Sequence, residues 1–230
     1  MRFVVNGDDL GYTKANTLGI VEAYRKGILR STTALGNSRY LDFAREAVQG
    51  CDDLGIGVHL NLTLGRPLTA GRTFTASSGE FMSRKEVYAA ELDMAEVEAE
   101  WRAQVERFVE VMGRRPTHFD SHHGVHDFNE RQLEVASKLA DEYGVELRRY
   151  GRFAYVSGFW DQTATADTLL QIMAEHAGED IELMCHPGFC DLELYRSSSY
   201  SVQRVRELEA LCDERVLSYV REHGVVLCHY

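Results

Sequence analysis

The sequence predicts an α/β fold in which parallel strands, joined by helices, curl into a closed or nearly closed barrel. Three observations predict it. Short apolar runs of strand type alternate with amphipathic helical segments along the whole chain, the pattern of parallel strands with helical crossovers. A length of 230 residues suits one α/β barrel. Residues able to bind a metal or move a proton fall where the apolar runs stop, and such barrels carry their active sites at strand C-termini.

Each element has a local reason. Phe3-Val4-Val5 forms a short first strand that runs into Asn6-Gly7-Asp8-Asp9. Asn16 to Lys26 has helical character and stops at Gly27. Thr32-Thr33-Ala34-Leu35 gives the second strand, Tyr40 to Val48 a helix, and Gly55 to Leu62 the third strand. Residues 66–85 are rich in Gly, Ser and Thr and predict a long loop. Glu91 to Met112 is a long amphipathic helix, because Val97, Trp101, Val105, Phe108, Val109 and Met112 follow a period of about 3.6 residues. Thr117 to Ser121 forms a strand after Pro116, and Glu130 to Tyr143 a helix followed by Val145-Glu146-Leu147. Thr165 to His176 is helical and Ile181 to Cys185 a strand. Val202 to Leu211 and Glu214 to His223 are helices, and Val225-Val226-Leu227 is the last strand. The three prolines, Pro67, Pro116 and Pro187, mark no linker, and no repeat is visible, so residues 1–230 are expected to form a single domain.

Composition narrows the function. A formal net charge of −11 argues against nucleic acid, whose phosphates need a basic partner, and against anionic lipid. No run of about 18 apolar residues suggests a membrane span. The five cysteines, Cys51, Cys185, Cys190, Cys212 and Cys228, are odd in number and include no Cys-x-x-Cys pair. They fit reduced thiols, and with no charged-then-apolar leader the expected location is the cytoplasm.

Four strand ends carry the chemistry. The first ends in Asp8-Asp9, the third in His59-Leu60-Asn61. The strand after Pro116 ends in Asp120-Ser121-His122-His123 with His126 just beyond, and the strand at 181–185 ends in Cys185-His186-Pro187-Gly188. Alone, an Asp-Asp at a strand end is commonly a cap or turn, and a lone strand histidine is commonly structural. Their joint placement at strand ends turns the balance. Adjacent carboxylates repel unless positive charge sits beside them, and a divalent metal supplies it. Asp9 with His59 and His122 would make an open three-ligand site, leaving Asp8 free as a base. A Cys185–His186 nucleophile is disfavoured, because neighbours on a strand point to opposite faces. Gly55-Ile56-Gly57 lacks the rest of a dinucleotide fingerprint, and no Walker loop or nucleophile elbow is present.

Asn6-Gly7-Asp8-Asp9-Leu10-Gly11 resembles the opening motif of the YdjC-like carbohydrate deacetylases, which include chitooligosaccharide deacetylases. Further likeness follows in order at Ser31-Thr32-Thr33-Ala34, Gly57 to Thr63 with Gly65-Arg66-Pro67-Leu68, and Pro116 to His123. It continues at Met184 to Gly188 and at Ser198-Ser199-Tyr200 with Arg204 and Glu207-Leu208. The resemblance implies a deformed (β/α) barrel of the glycoside hydrolase/deacetylase type. It implies a divalent metal on Asp9, His59 and His122, Asp8 as general base and His186 as general acid. The family's substrates are N-acetylglucosamine-containing oligosaccharides or glycolipids. The fourth block departs from the family's Asp-Ser-His-x-His-x-His: Gly124 takes the middle histidine position and His123 fills the free one. His123, His126 and Asn61 are the candidate substrate contacts.

The expected reaction is direct hydrolysis of the acetamide by water activated at the metal, with Asp8 taking a proton and His186 donating one. The cation would be Mg²⁺ or Zn²⁺, with Mn²⁺ and Co²⁺ also compatible. The expected partner is the sugar alone, without nucleic acid or membrane insertion, and a homodimer stays open. Phe74, Phe81 and Tyr155 are read as core first and sugar platforms second. Two other readings compete: another metal hydrolase on the same barrel, such as a phosphoesterase or amidohydrolase, and an inactive sugar- or metal-binding homologue. The first normally carries an early His-x-His, absent here.

Overall fold

The computed structural model describes all 230 residues. Strands β1 (Arg2–Leu10), β2 (Ser31–Ala34), β3 (Gly55–Leu60), β4 (His118–Ser121) and β5 (Glu146–Leu147) run from the centre of the sheet to one edge. Strand β7 (Ile181–Cys185) pairs with the other side of β1, and β6 (Ala154–Val156) lies beyond it. Strand β8 (Val226–Cys228) pairs with the start of β1, and every strand pairing is parallel. No ladder joins β5 to β6, so the curled sheet is a deformed barrel open on one side, bridged there by residues 148–153. No helix is long and apolar enough to cross a membrane.

Helices α1 (Lys14–Lys26), α2 (Leu41–Ala47), α3 (Arg84–Ala89), α4 (Met94–Met112), α5 (Glu130–Tyr143), α6 (Ala166–Glu175), α7 (Leu192–Ser197), α8 (Gln203–Leu211) and α9 (Glu214–Glu222) complete the chain. The long helix α4 starts at Met94 rather than Glu91 because the Asp93 side chain caps it, accepting from the Ala95 N–H. Val97, Trp101, Val105, Phe108 and Met112 are buried on α4 as its period requires. Glu100 and Gln104 are buried on the same helix: Glu100 accepts from the Leu68 and Thr69 N–H groups, and Gln104 brackets the Asn61 backbone. The predicted loop at 66–85 is thereby pinned. Its last two residues already belong to α3, which a Ser83–Glu86 capping box starts. Phe74 and Phe81 are buried core residues of that segment.

The large apolar core lies between sheet and helices, and includes Val58, Phe119, Leu183 and Trp101. The barrel's inner face is instead polar. Period-2 alternation puts Ser31 and Thr33, then His59, then His118 and Asp120 on that face, all buried. Gly57 makes room there: a Cβ on it would lie 2.5 Å from the His118 carbonyl oxygen.

His118 sits at the closed end of this interior. Its ring stacks on Tyr230 at 3.9 Å, its Nε2 has no partner, and burial pushes its pKa down to about 3. The folded chain therefore holds a neutral imidazole whose stability contribution is present above pH about 6.5 and is lost as pH falls toward 3. In His118→Phe that loss disappears. The stability of the variant relative to wild type should rise by up to about 1.4 kcal/mol per pH unit as pH falls below about 6.5. Denaturant titrations from pH 7 to 4.5 check this, and a gap independent of pH would refute it.

Candidate active site

Strand β1 delivers two carboxylates to the barrel mouth because its backbone breaks there. Asp9 has φ 72°, and the pairing with β2 shifts register between Gly7 and Leu10. In a regular strand neighbouring side chains point to opposite faces, whereas the left-handed residue lets Asp8 and Asp9 reach one cluster. Both are buried.

Asp9 lies between two histidines. Its Oδ1 is 3.2 Å from His59 Nε2 and 2.8 Å from His122 Nδ1, and its Oδ2 accepts from Arg204 Nη2 at 2.7 Å. Burial alone would raise the Asp9 carboxyl, but His122, Arg204 and the hydrogen bond from His59 outweigh it and hold the pKa well below the usual range. His59 is oriented from behind by Asp120, whose Oδ1 is 2.6 Å from Nδ1. Burial disfavours a charged His59, yet Asp120, Asp9 and Asp8 together push its pKa up to about 10. Asp120 in turn accepts from Thr33 Oγ1 at 2.9 Å and pairs with Arg148 at 2.7 Å.

Asp8 takes a two-pronged bond from Arg148, at 2.8 and 2.6 Å, and a third from Asn6 Nδ2 at 2.9 Å. His186, just beyond β7, points Nε2 at Asp8 Oδ2 across 3.9 Å. Its Nδ1 is buried without a partner, its backbone N–H donates to Glu207, and burial pushes its pKa down to about 4. Cys185 donates weakly to the Asn6 carbonyl at 3.2 Å, and burial pushes its thiol pKa well up, so it is no nucleophile.

The ligand-type atoms of Asp9, His59 and His122 lie within 4.8 Å of one another, and all three residues are buried. Two imidazoles and a carboxylate around one point, with the Asp120 carboxylate behind His59, fit a divalent cation. Asp8, His59 and Asp120 also approach one another. Arg148 already occupies the oxygens of Asp8 and Asp120, so that trio is the poorer cradle.

The remaining predicted residues separate. His123 has φ 59° and is followed by Gly124 at φ 71°. This backbone turns the His123 ring onto His122, 4.0 Å between centroids, with Nδ1 2.9 Å from Thr63 Oγ1 at the rim. His126 is buried, with Nδ1 2.6 Å from Ser121 Oγ and Nε2 unpartnered. Asn61 is different: its side chain accepts from the Thr63 and Leu64 N–H groups and donates to Asn37 and the Leu64 carbonyl. That turn also ends β3 at Leu60 rather than Leu62 and leaves Asn61 no free amide for a ligand. Sequence reasoning missed Arg148 and the role of Asp120. Arg148 directly follows the apolar end of β5, so the strand-end rule reaches it, while Arg204 comes from α8 and has no such local signal.

A family model described as YdjC-like protein matches residues 2–222. The chain belongs to this family. Among YdjC-like relatives, a carbohydrate deacetylase from Enterococcus faecalis is 34% identical, with 100% of this chain and 97% of the relative aligned. A chitooligosaccharide deacetylase from Escherichia fergusonii is 35% identical over 99% of this chain and 97% of its own length. A crystal structure of an Enterococcus faecalis V583 protein, provisionally described as a cellobiose-phosphate cleavage protein, superposes with a TM-score of 0.93 at 34% identity, covering 100% of this chain and 97% of that one. A family 4 carbohydrate esterase from Streptomyces lividans, solved with acetate, matches at a TM-score of 0.57 and 14% identity over 99% of this chain and 91% of that chain, a likeness of fold.

Proposed function

We propose that this YdjC-like chain, acting as one domain over residues 1–230, hydrolyses the acetamide of N-acetylated sugars with a divalent cation held by Asp9, His59 and His122. One observation carries the reading: a three-ligand cradle has a carboxylate outside the ligand set, Asp8, and a histidine facing it, His186. The names of the deacetylase relatives support a sugar substrate, and one of them names chitooligosaccharides.

A cation in that cradle would lower the pKa of water and polarise the acetamide carbonyl. The protein's own groups do the rest. Asp8, clamped by Arg148, accepts the proton that water gives up as it attacks the carbonyl carbon. The nitrogen must then leave as an amine, so it needs a proton. His186 delivers it from Nε2, the atom facing Asp8. Burial keeps the His186 ring neutral between turnovers, so the proton it gives up is the one Asp8 took from water, passed across to Nε2, and the same burial makes the protonated ring a ready donor. Arg204 holds the Asp9 oxygen not shared with the histidines and so fixes that carboxylate's rotation.

The test is acetate release from di-N-acetylchitobiose by protein purified without chelator, alongside its metal content. Activity should vanish after chelation and return with one of Zn²⁺, Co²⁺, Mn²⁺ or Mg²⁺. Acetate release indifferent to chelation would remove the metal from the reading. Phosphate release from phosphate esters, or cleavage of a phosphorylated disaccharide, without acetate release would replace the reaction itself.

A further inference from the structure

The loop beyond β6 carries Trp160, the more exposed of the chain's two tryptophans: 44% of it is open to solvent, whereas Trp101 is fully buried. Trp160 is held rather than free. Its ring stacks on Tyr200, centroids 3.9 Å apart and planes 18° from parallel. Its backbone N–H donates to Thr163 Oγ1 at 3.2 Å, whose hydroxyl returns a bond to the Trp160 carbonyl at 2.7 Å. The next residue, Asp161, donates its N–H to the Tyr200 hydroxyl at 2.8 Å. Tyr200 then donates to Glu207, the carboxylate that also accepts the His186 N–H. The indole edge meets the His186 ring at 5.0 Å and 83°. One chain of contacts thus fixes both the indole and the histidine facing Asp8.

The position selects the occupant. In the proposed reaction His186 protonates the leaving nitrogen, so the sugar lies on the His186 side of the scissile bond and the acetyl group on the Asp9 side. Trp160 borders the sugar side. A pyranose ring offers a face of C–H groups that packs on an aromatic plane, and a ring already stacked on one face needs no ordering before it binds. We propose that the open face of Trp160 is the stacking platform for a pyranose ring of the amine-side product, and that it sets the preference for sugars over small acetamides. The proposal rests on the deacetylase reading above.

The chain supplies its own probe, since Trp101 is sealed in the core and only Trp160 is placed to report a ligand at the mouth. In Asp8→Asn protein, which holds substrate without turning it over, titration with di-N-acetylchitobiose should shift and saturate tryptophan emission. Trp160→Phe added to that protein should abolish the emission change while calorimetry still records binding. Trp160→Ala should raise the dissociation constant about tenfold. In an otherwise wild-type chain, Trp160→Ala should raise KM for the disaccharide by a similar factor, beyond any rise for acyclic N-alkylacetamides. Sugar binding that leaves emission unchanged, or a Trp160→Ala protein with wild-type affinity, overturns the platform while acetate release by the wild type upholds the function. Wild-type protein that neither binds the sugar nor releases acetate overturns both.

Discussion

Replacing Asp8 with Asn is expected to lower acetate release by at least about 10²-fold while leaving bound metal in place. The separation of the two effects follows from the geometry. Asp9, not Asp8, shares its oxygen with His59 and His122, so Asp8→Asn leaves the three-ligand cradle complete. An amide of the same shape keeps one acceptor for Arg148 but cannot take up a proton from water at neutral pH. Arg148 retains Asp120 as a partner at 2.7 Å, which limits the structural cost. Asp9→Asn is the contrasting change, expected to lose metal and activity together. Metal content and acetate assays on the two variants check this. Asp8→Asn protein with wild-type turnover, or one that loses its metal as Asp9→Asn does, would remove Asp8 from the role of base.

The sequence makes the barrel and part of the site legible for the same reason: both rest on local patterns. Helix Glu130–Tyr143 and strand Ile181–Cys185 have the bounds their apolar spacing predicts, because a period and its stop signals lie within one element. Strand β6 and helix α7 escape notice, since three and six residues are too few to display a period. Openness of the sheet is likewise illegible, because it depends on whether β5 and β6 meet, and no local residue states that. At the site, Asp8, Asp9, His59, His122 and His186 announce themselves as polar residues at strand ends, and the structure brings them into one cluster. Asn61 has the same signature and a different fate. Its neighbours Thr63 and Leu64 supply N–H groups within reach of its side chain, and the local turn takes every polar atom. Arg204 acts through a partner 195 residues away, a separation over which spacing carries no information, and Arg148, though marked by its place at the end of β5, reaches a partner 140 residues away that its position does not name. The left-handed Asp9 that lets two adjacent carboxylates share one cluster is also invisible in the sequence, where alternation would send one of them outward.

Arg148 is where stability and chemistry meet, and Arg148→Met is expected to cost about 3–5 kcal/mol of folding free energy. The guanidinium is buried and paired with Asp8 at 2.6 Å and Asp120 at 2.7 Å. Burial disfavours its charge, but the two carboxylates outweigh that and raise its pKa well above the ordinary value. Methionine fills similar space without charge, so the variant isolates the loss of the guanidinium: the buried carboxylates of Asp8 and Asp120 then face one another without it. Lysine does not restore the arrangement, because one ammonium cannot make the two-pronged bond to Asp8 and still reach Asp120 with the same geometry. A compensating change gives the decisive comparison. Asp120→Asn added to Arg148→Met removes one of the orphaned charges, so the double variant should be more stable than Arg148→Met alone. Denaturant unfolding of the wild type, both single variants and the double variant measures the coupling. If the guanidinium matters only as packing, the effects will add and Arg148→Met will cost less than about 1 kcal/mol, the scale of an exposed ion pair. If it neutralises the carboxylates, the coupling will be large, and Arg148→Met will lose acetate release as well, because Asp8 loses the two-pronged bond that fixes its carboxylate beside the cation site.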